Sequence, residues 1–242
     1  MMRGLTRFFW VSAVLLTVSV PCFAGKAEDL MLKGARYVAE KDYGKALKAY
    51  QDAVAANPNN ANANLLLGLA YANTADLSKA VQYTQASLKL APGYHGYYNL
   101  GIIYANIQEL DKSAEAFREA LKQNNQSYQA WYQLGQVYHA KGDFNAALES
   151  YGRAVKFNPN FSDAYLGLGS AFYWSGNIDS AREQVQRLKA IKETTKAQAL
   201  EEWIINKEAK KSGAPQPQPS APMEASAATT PSKDTATRPS NP

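Results

Sequence analysis

The stretch AWYQLGQVYHAKGDFNAALESYGRAVKFNP, residues 130–159, decides the fold. Trp131, Leu134 and Tyr138 fall at spacings of three and four, which is one face of a helix. Gly142 and Asp143 then break the pattern, because glycine accepts a left-handed turn and aspartate is a good helix N-cap. A second helical segment carries Ala147, Tyr151 and Ala154 on one face, and Pro159 ends it. Gly135 lies inside the first helix, where glycine costs about 1 kcal/mol relative to alanine. Its missing side chain therefore serves the close approach of a paired helix.

Outward from this stretch the same pattern recurs with a period of 34 residues. Pro58 and Pro92 are 34 apart, and Pro92 and Pro159 are 67 apart, with the intervening proline replaced by Asn125. Repeats then run 27–60, 61–93, 94–127, 128–161 and 162–195. Their fourth, seventh, eighth and eleventh residues read Leu30, Lys33, Gly34, Tyr37; Asn64, Leu67, Gly68, Tyr71; Tyr97, Leu100, Gly101, Tyr104; Trp131, Leu134, Gly135, Tyr138; and Tyr165, Leu168, Gly169, Phe172. The small and aromatic slots downstream read Ala46, Tyr50, Ala53; Ala80, Thr84, Ser87; Ser113, Phe117, Ala120; Ala147, Tyr151, Ala154; and Ala181, Val185, Leu188.

In these residues the chain resembles the tetratricopeptide repeat family, a helix-turn-helix unit with a Trp-Leu-Gly-Tyr, Ala-Phe and Pro signature. The resemblance covers residues 27–195 and departs at Lys33, at Thr84, where an aromatic is expected, and at Glu193, where the last proline should stand. The implied fold is all-α: an α-solenoid of five tandem hairpins over 25–195, each too small to cover its own apolar face. A capping helix is expected over 196–211. Thr195 and Gln198 stand at capping-box spacing, and Leu200, Trp203 and Ile204 are read as the residues that cover the fifth repeat.

The ends of the chain differ in kind. Arg3 and Arg7 precede an uncharged apolar run and Pro21-Cys22-Phe23-Ala24, the layout of a secretory signal peptide over 1–24, cleaved after Ala24. The protein is then expected in the periplasm or outside the cell. The alternative is an uncleaved N-terminal anchor, the only route to membrane contact, and Pro21 disfavours it. A lipoprotein reading is disfavoured by the same proline, directly before Cys22. Cys22 is the only cysteine, so after cleavage neither a disulfide nor thiol chemistry is possible. Seven of the eleven prolines fall in the last 31 residues, where no aromatic, Leu, Ile or Val occurs. Residues 212–242 are therefore expected to be a disordered tail, a solvated spacer or tether. Its Pro215-Gln216-Pro217-Gln218-Pro219 offers a second reading, an extended segment that occupies its own groove or a neighbour's.

Residues 26–181 carry 14 basic and 14 acidic side chains, which disfavours a nucleic-acid-binding groove. His95 and His139 are 44 residues apart and share no ligand spacing. No catalytic residue, metal site or cofactor is expected, and the chain is not read as an enzyme.

The resemblance also implies a ligand-facing surface on the first helix of each repeat. Its variable slots hold two carboxylates, Glu28 and Asp163, and no Lys or Arg. That composition excludes the carboxylate clamp by which chaperone-binding members grip an acidic C-terminus. The expected groove consists of Asn62, Leu65, Leu69, Asn73, Tyr98, Ile102, Asn106, Tyr132, Gln136, His139, Tyr173 and Trp174. Amides suit an extended backbone and exposed rings make binding hot spots. The expected function is a protein-interaction scaffold that takes an extended or helical segment of another protein or peptide. The alternative is a structural module that self-associates into a homo-oligomer.

Overall fold

A computed structural model describes residues 25–212 of the protein. The expected signal segment 1–24, and all of the expected tail except Ser212, lie outside the described residues. The chain divides into a compact unit ending at Ile205 and a second beginning at Asn206, which among the described residues holds only the end of the last helix.

Eleven α-helices and no strand occur among the described residues: α1 (Lys26–Ala39), α2 (Tyr43–Ala56), α3 (Ala61–Asn73), α4 (Leu77–Leu90), α5 (Tyr94–Asn106), α6 (Leu110–Gln123), α7 (Tyr128–Lys141), α8 (Phe144–Phe157), α9 (Ser162–Ser175), α10 (Ile178–Ala190) and α11 (Thr194–Ser212). The first ten pair into five hairpins that stack as an α-solenoid. Odd-numbered helices from α1 to α9 touch the next odd-numbered one, whereas α2, α4, α6, α8 and α10 do not touch each other. The first helices thus form one wall of the stack.

One turn recurs in every hairpin. Asp42, Asp76, Asp143 and Asn177 each accept the N–H of the residue three further on, at 3.1, 3.2, 3.1 and 3.2 Å. This satisfies one orphan donor of α2, α4, α8 and α10 and is worth about 1 kcal/mol in each, whereas Glu109 at the start of α6 makes no such bond. Just before each cap the backbone is left-handed, at Lys41, Ala75, Gln108, Gly142 and Gly176. Only the last two positions are glycine.

The helix glycines do what their position demands. A methyl group on Gly34, Gly101 or Gly135 would lie 2.4–2.8 Å from the ring of Tyr50, Phe117 or Tyr151 on the paired helix, and on Gly68 it would meet Thr84 Oγ1 at 2.5 Å. Thr84 fills the aromatic slot as a fully buried side chain whose hydroxyl has no hydrogen-bond partner. Gly169 differs, because a methyl group there would run into Leu200 of α11 rather than Val185. Tyr151 also lies 2.7 Å from the methyl that Gly167 lacks, so one ring is clasped by glycines of two repeats.

Adjacent repeats are joined by a second recurring device. Gln51 Nε2 donates to the Tyr71 hydroxyl and Gln85 Nε2 to the Tyr104 hydroxyl, both at 2.9 Å. At the next junction Arg118 donates to the Tyr138 hydroxyl. At the last one both partners change together: Gly152 stands in the donor position and Phe172, which has no hydroxyl, in the acceptor position.

The C-terminal helix departs from expectation in two respects. It begins at Thr194, so Thr195 lies inside it and does not cap it. Helix α10 ends at Ala190, and a left-handed Lys192 separates the two. Ala197, Leu200 and Ile204 are buried against Ala181, Val185 and Leu188 of α10. Trp203, read as a core residue of the cap, is instead 41% exposed. Its neighbours Leu200 and Ile204 already fill the buried face, and one residue along a helix is a rotation of about 100°.

Candidate functional site

The first-helix wall carries the expected groove residues in three states. Asn62, Asn73, Asn106 and Trp174 are exposed, with Trp174 at 48%. Leu65, Leu69, Tyr98, Tyr132, Gln136, His139 and Tyr173 are half-buried. Ile102 does not belong with them: it is 9% exposed and packs with Phe117 and Leu134 in the core between repeats three and four. The same slot is exposed at Ala35 and half-buried at Leu69, Gln136 and Ser170, whereas Ile102 is a core residue.

The half-buried tyrosines are fixed by the scaffold. The Tyr98 ring stacks on Tyr94 at 5.5 Å and meets Phe117 edge-on at 5.7 Å. Its hydroxyl bonds to Gln133, and burial pushes its pKa up to about 12. The Tyr94 hydroxyl lies 2.6 Å from Ser127 Oγ. Tyr132 packs edge-on against Phe161 at 5.0 Å and accepts a hydrogen bond from Gln136 Nε2 at 2.8 Å. Burial also raises the Tyr132 pKa, with the Asp163 charge adding to it. Both phenols are therefore neutral and already partnered. What they offer a ligand is ring surface, at little cost in side-chain entropy.

Gln136 spends its amide nitrogen on Tyr132, and its Oε1 is buried without a partner in the protein. His139 Nε2 lies 3.0 Å from Ser170 Oγ and its ring sits edge-on to Phe144. Burial pushes the His139 pKa below its usual value, so the imidazole is neutral at neutral pH.

Both groove carboxylates are already engaged. Glu28 accepts a hydrogen bond from Asn60 Nδ2 at 3.1 Å, and Asp163 lies 2.6 Å from Lys196 Nζ of α11. Lys196 thus offsets the Asp163 charge, whereas Glu28 keeps its own. Sequence reasoning put Trp203 in the core of the cap and did not place Lys196 or Tyr94 on the wall. Tyr173 lies 5.3 Å from Trp174 and 6.5 Å from Trp203, ring centre to ring centre. The two exposed indoles flank this half-buried ring, and α11 adds an aromatic to the wall besides closing the core. Only the period could have signalled this, by treating α11 as one more first helix.

Among the described residues no group of three His, Cys, Asp or Glu is placed to hold a metal ion. No helix among them is long and apolar enough to cross a membrane.

Tetratricopeptide repeat models match residues 32–95, 95–127, 116–149 and 135–176 in succession. The chain belongs to the tetratricopeptide repeat family. It is 30% identical over 105 residues to Hsp70-Hsp90 organizing protein 3 of Arabidopsis thaliana, which covers 42% of this chain and 19% of that protein. It is 29% identical over 97 residues to small glutamine-rich tetratricopeptide repeat-containing protein 2 of Saccharomyces cerevisiae, covering 40% of this chain and 28% of that one. The chain therefore spans under a third of either relative. A crystal structure of MamA superposes with a TM-score of 0.64 at 27% identity over 67% of this chain and 95% of that one. YrrB, described as a TPR protein with an unusual peptide-binding site, superposes at 0.63 with 18% identity over 72% and 91%. The likeness to YrrB concerns the fold alone. The coarse class that follows from the family is a protein-interaction scaffold made of helical hairpins.

Proposed function

We propose that this protein works outside the cytoplasm and holds an extended, weakly charged segment of a partner protein against its first-helix wall. The observation that carries the reading is the combination on that wall of exposed Asn73 and Asn106 in consecutive repeats with scaffold-fixed rings and no free carboxylate at the variable slots. Asparagine offers a donor pair and an acceptor, which match the amide edges of an extended backbone. Packed helices lie about 8–10 Å apart, close to the span of three extended residues, so successive repeats can grip successive parts of one peptide. The family supports a protein partner, and the Arg3 to Ala24 pattern supports export.

The test is binding of a partner by the full chain and by variants with Tyr98, Tyr132 and Trp174 each changed to alanine. Binding should weaken in each and vanish in the triple variant while the melting transition stays cooperative. Undiminished binding by the triple variant contradicts the assignment of the wall. The location is tested by N-terminal sequencing of the mature protein from a fractionated cell, which should begin at Gly25 in the envelope or secreted fraction.

Charge at the start of α1 speaks against self-association through that end. Asp29, Lys33 and Arg36 occupy positions where later first helices bury Ala63, Leu67 and Ala70, or Ala130, Leu134 and Val137. A second copy stacked there would have to bury unpaired charge.

A further inference from the structure

The repeats supply their own control for one cleft on the second-helix side. In the first three hairpins a lysine closes the outer face of the tyrosine that follows the helix glycine. Lys45, Lys79 and Lys112 lie 5.6, 5.1 and 5.8 Å from the ring centres of Tyr37, Tyr71 and Tyr104. Each is held there by an ion pair, with Asp42 at 2.8 Å, Asp76 at 2.8 Å and Glu109 at 3.3 Å. In the fourth hairpin the equivalent residue is Ala146. Its cap survives, since Asp143 still accepts the Ala146 N–H, but no lysine of the second helix covers Tyr138, and the cation over that ring is Arg118 of α6.

A cleft of about 380 Å³ opens where that lysine would lie, between α6, α7 and α8. Its floor is Leu121, Leu134 and Ala146, and its walls are Trp131 and Tyr138. Lys122 and Arg118 stand at the rim against a single lining carboxylate, Glu149. Lys122 is paired with Glu119 at 2.5 Å, and Glu149 lies 3.7 Å from Arg153, whose guanidinium sits over Trp131. Arg118 replaces the glutamine of the two earlier junctions. Among the described residues it forms no ion pair, donating instead to the Tyr138 hydroxyl and lying 5.5 Å from the centre of that ring. A neutral glutamine would satisfy that hydroxyl too; Arg118 adds a positive charge that lies over the Tyr138 ring and faces the cleft with no carboxylate paired to it.

We propose that this cleft is a second docking site, distinct from the first-helix wall, which takes an acidic segment of a partner protein by seating an apolar side chain on Leu121, Leu134 and Ala146 with a neighbouring carboxylate on Arg118. The charge of Arg118 selects the sign of the partner, because guanidinium and carboxylate form paired, charge-assisted hydrogen bonds. Trp131, Tyr138 and Arg118 are of the residue types that dominate binding hot spots.

The experiment titrates the isotope-labelled full chain with two short peptides, one with leucine between aspartate and glutamate and one with both acids replaced by lysine. The Trp131 indole N–H, which donates to the Asn125 carbonyl at 2.8 Å, is the reporter. The acidic peptide should shift that signal saturably and the lysine peptide should not. Ala146→Lys, which restores the lid used in the first three repeats, should abolish the shift. Arg118→Gln, which restores the residue used at the first two junctions, should weaken binding about tenfold, the loss of one charge-assisted bond. Should Ala146→Lys lose its cooperative melting transition, Arg118→Gln alone decides. Equal response to both peptides, or unchanged binding by Arg118→Gln, overturns the proposal. Asn73→Ala with Asn106→Ala should leave the shift intact, which separates this site from the first-helix wall.

Discussion

The two ends of the stack are finished by opposite means. At the start, α1 keeps the hairpin geometry but replaces the residues that would face a preceding hairpin with Asp29, Lys33 and Arg36, so its outer face is solvated. At the other end, α10 keeps an apolar outer face, and α11 covers it with Ala197, Leu200 and Ile204. A solenoid edge can be made polar or it can be covered. This protein does one at each end, and the covered end adds an aromatic side chain, Trp203, to the first-helix wall.

The comparison breaks most visibly by truncating each end's key side chain. Leu200→Ala removes a fully buried residue wedged against Gly169 and should cost about 2–5 kcal/mol in urea unfolding. Lys33→Ala, on an exposed site, should stay within about 0.5 kcal/mol. Similar losses at both sites would show that α1 packs against something beyond the hairpins. Between the ends, two glycines at interior helix positions should behave oppositely. Gly135→Ala drives a methyl group to 2.6 Å from Tyr151 and should destabilise by about 1–3 kcal/mol. Gly152→Ala meets open space and should stabilise α8 by up to about 1 kcal/mol.

Thr84→Val sharpens the contrast between repeat two and its neighbours. It replaces a buried hydroxyl that has no partner with a methyl group of the same shape, and should stabilise by about 1 kcal/mol. The smallest effect is the pH dependence of His139. Its folded pKa lies below the unfolded value, so the unfolded chain binds more protons in that window. Stability should therefore fall as pH drops below about 6.5 toward the lowered pKa, and His139→Gln should remove that part of the slope, read from urea midpoints across the range.

Much of the fold was legible because the glycine, tyrosine and alanine positions recur at one period, and a period reports local geometry that every hairpin must share. Pro58 and Pro92 looked like the helix terminators, yet α6 ends at Gln123 without one. There Asn124 Oδ1 accepts the Gln126 N–H, as Asn57 and Asn158 do for Asn59 and Asn160 in other repeats. Side-chain turns of this kind compete with the helix and end it. What the period could not report was pairing between repeats. Ile102 stands in a slot that is exposed or half-buried in the other repeats, but here it packs into the core with Phe117 and Leu134. Leu200 takes the place beside Gly169 that Val185 would have filled, and Trp203 is rotated outward as a result. In the same way Ala146 reads as an ordinary small residue until its lysine counterparts are seen lying on their tyrosines.

The most direct test of the central claim places a photo-crosslinking phenylalanine analogue singly at Asn73 or Asn106, on the first-helix wall, and at Gln82 or Lys89, exposed on second helix α4. The account predicts that a bound partner is captured in the envelope or secreted fraction from Asn73 and Asn106, through one contiguous segment of its chain, and not from α4. Capture from Gln82 and Lys89 with none from Asn73 and Asn106 would contradict it.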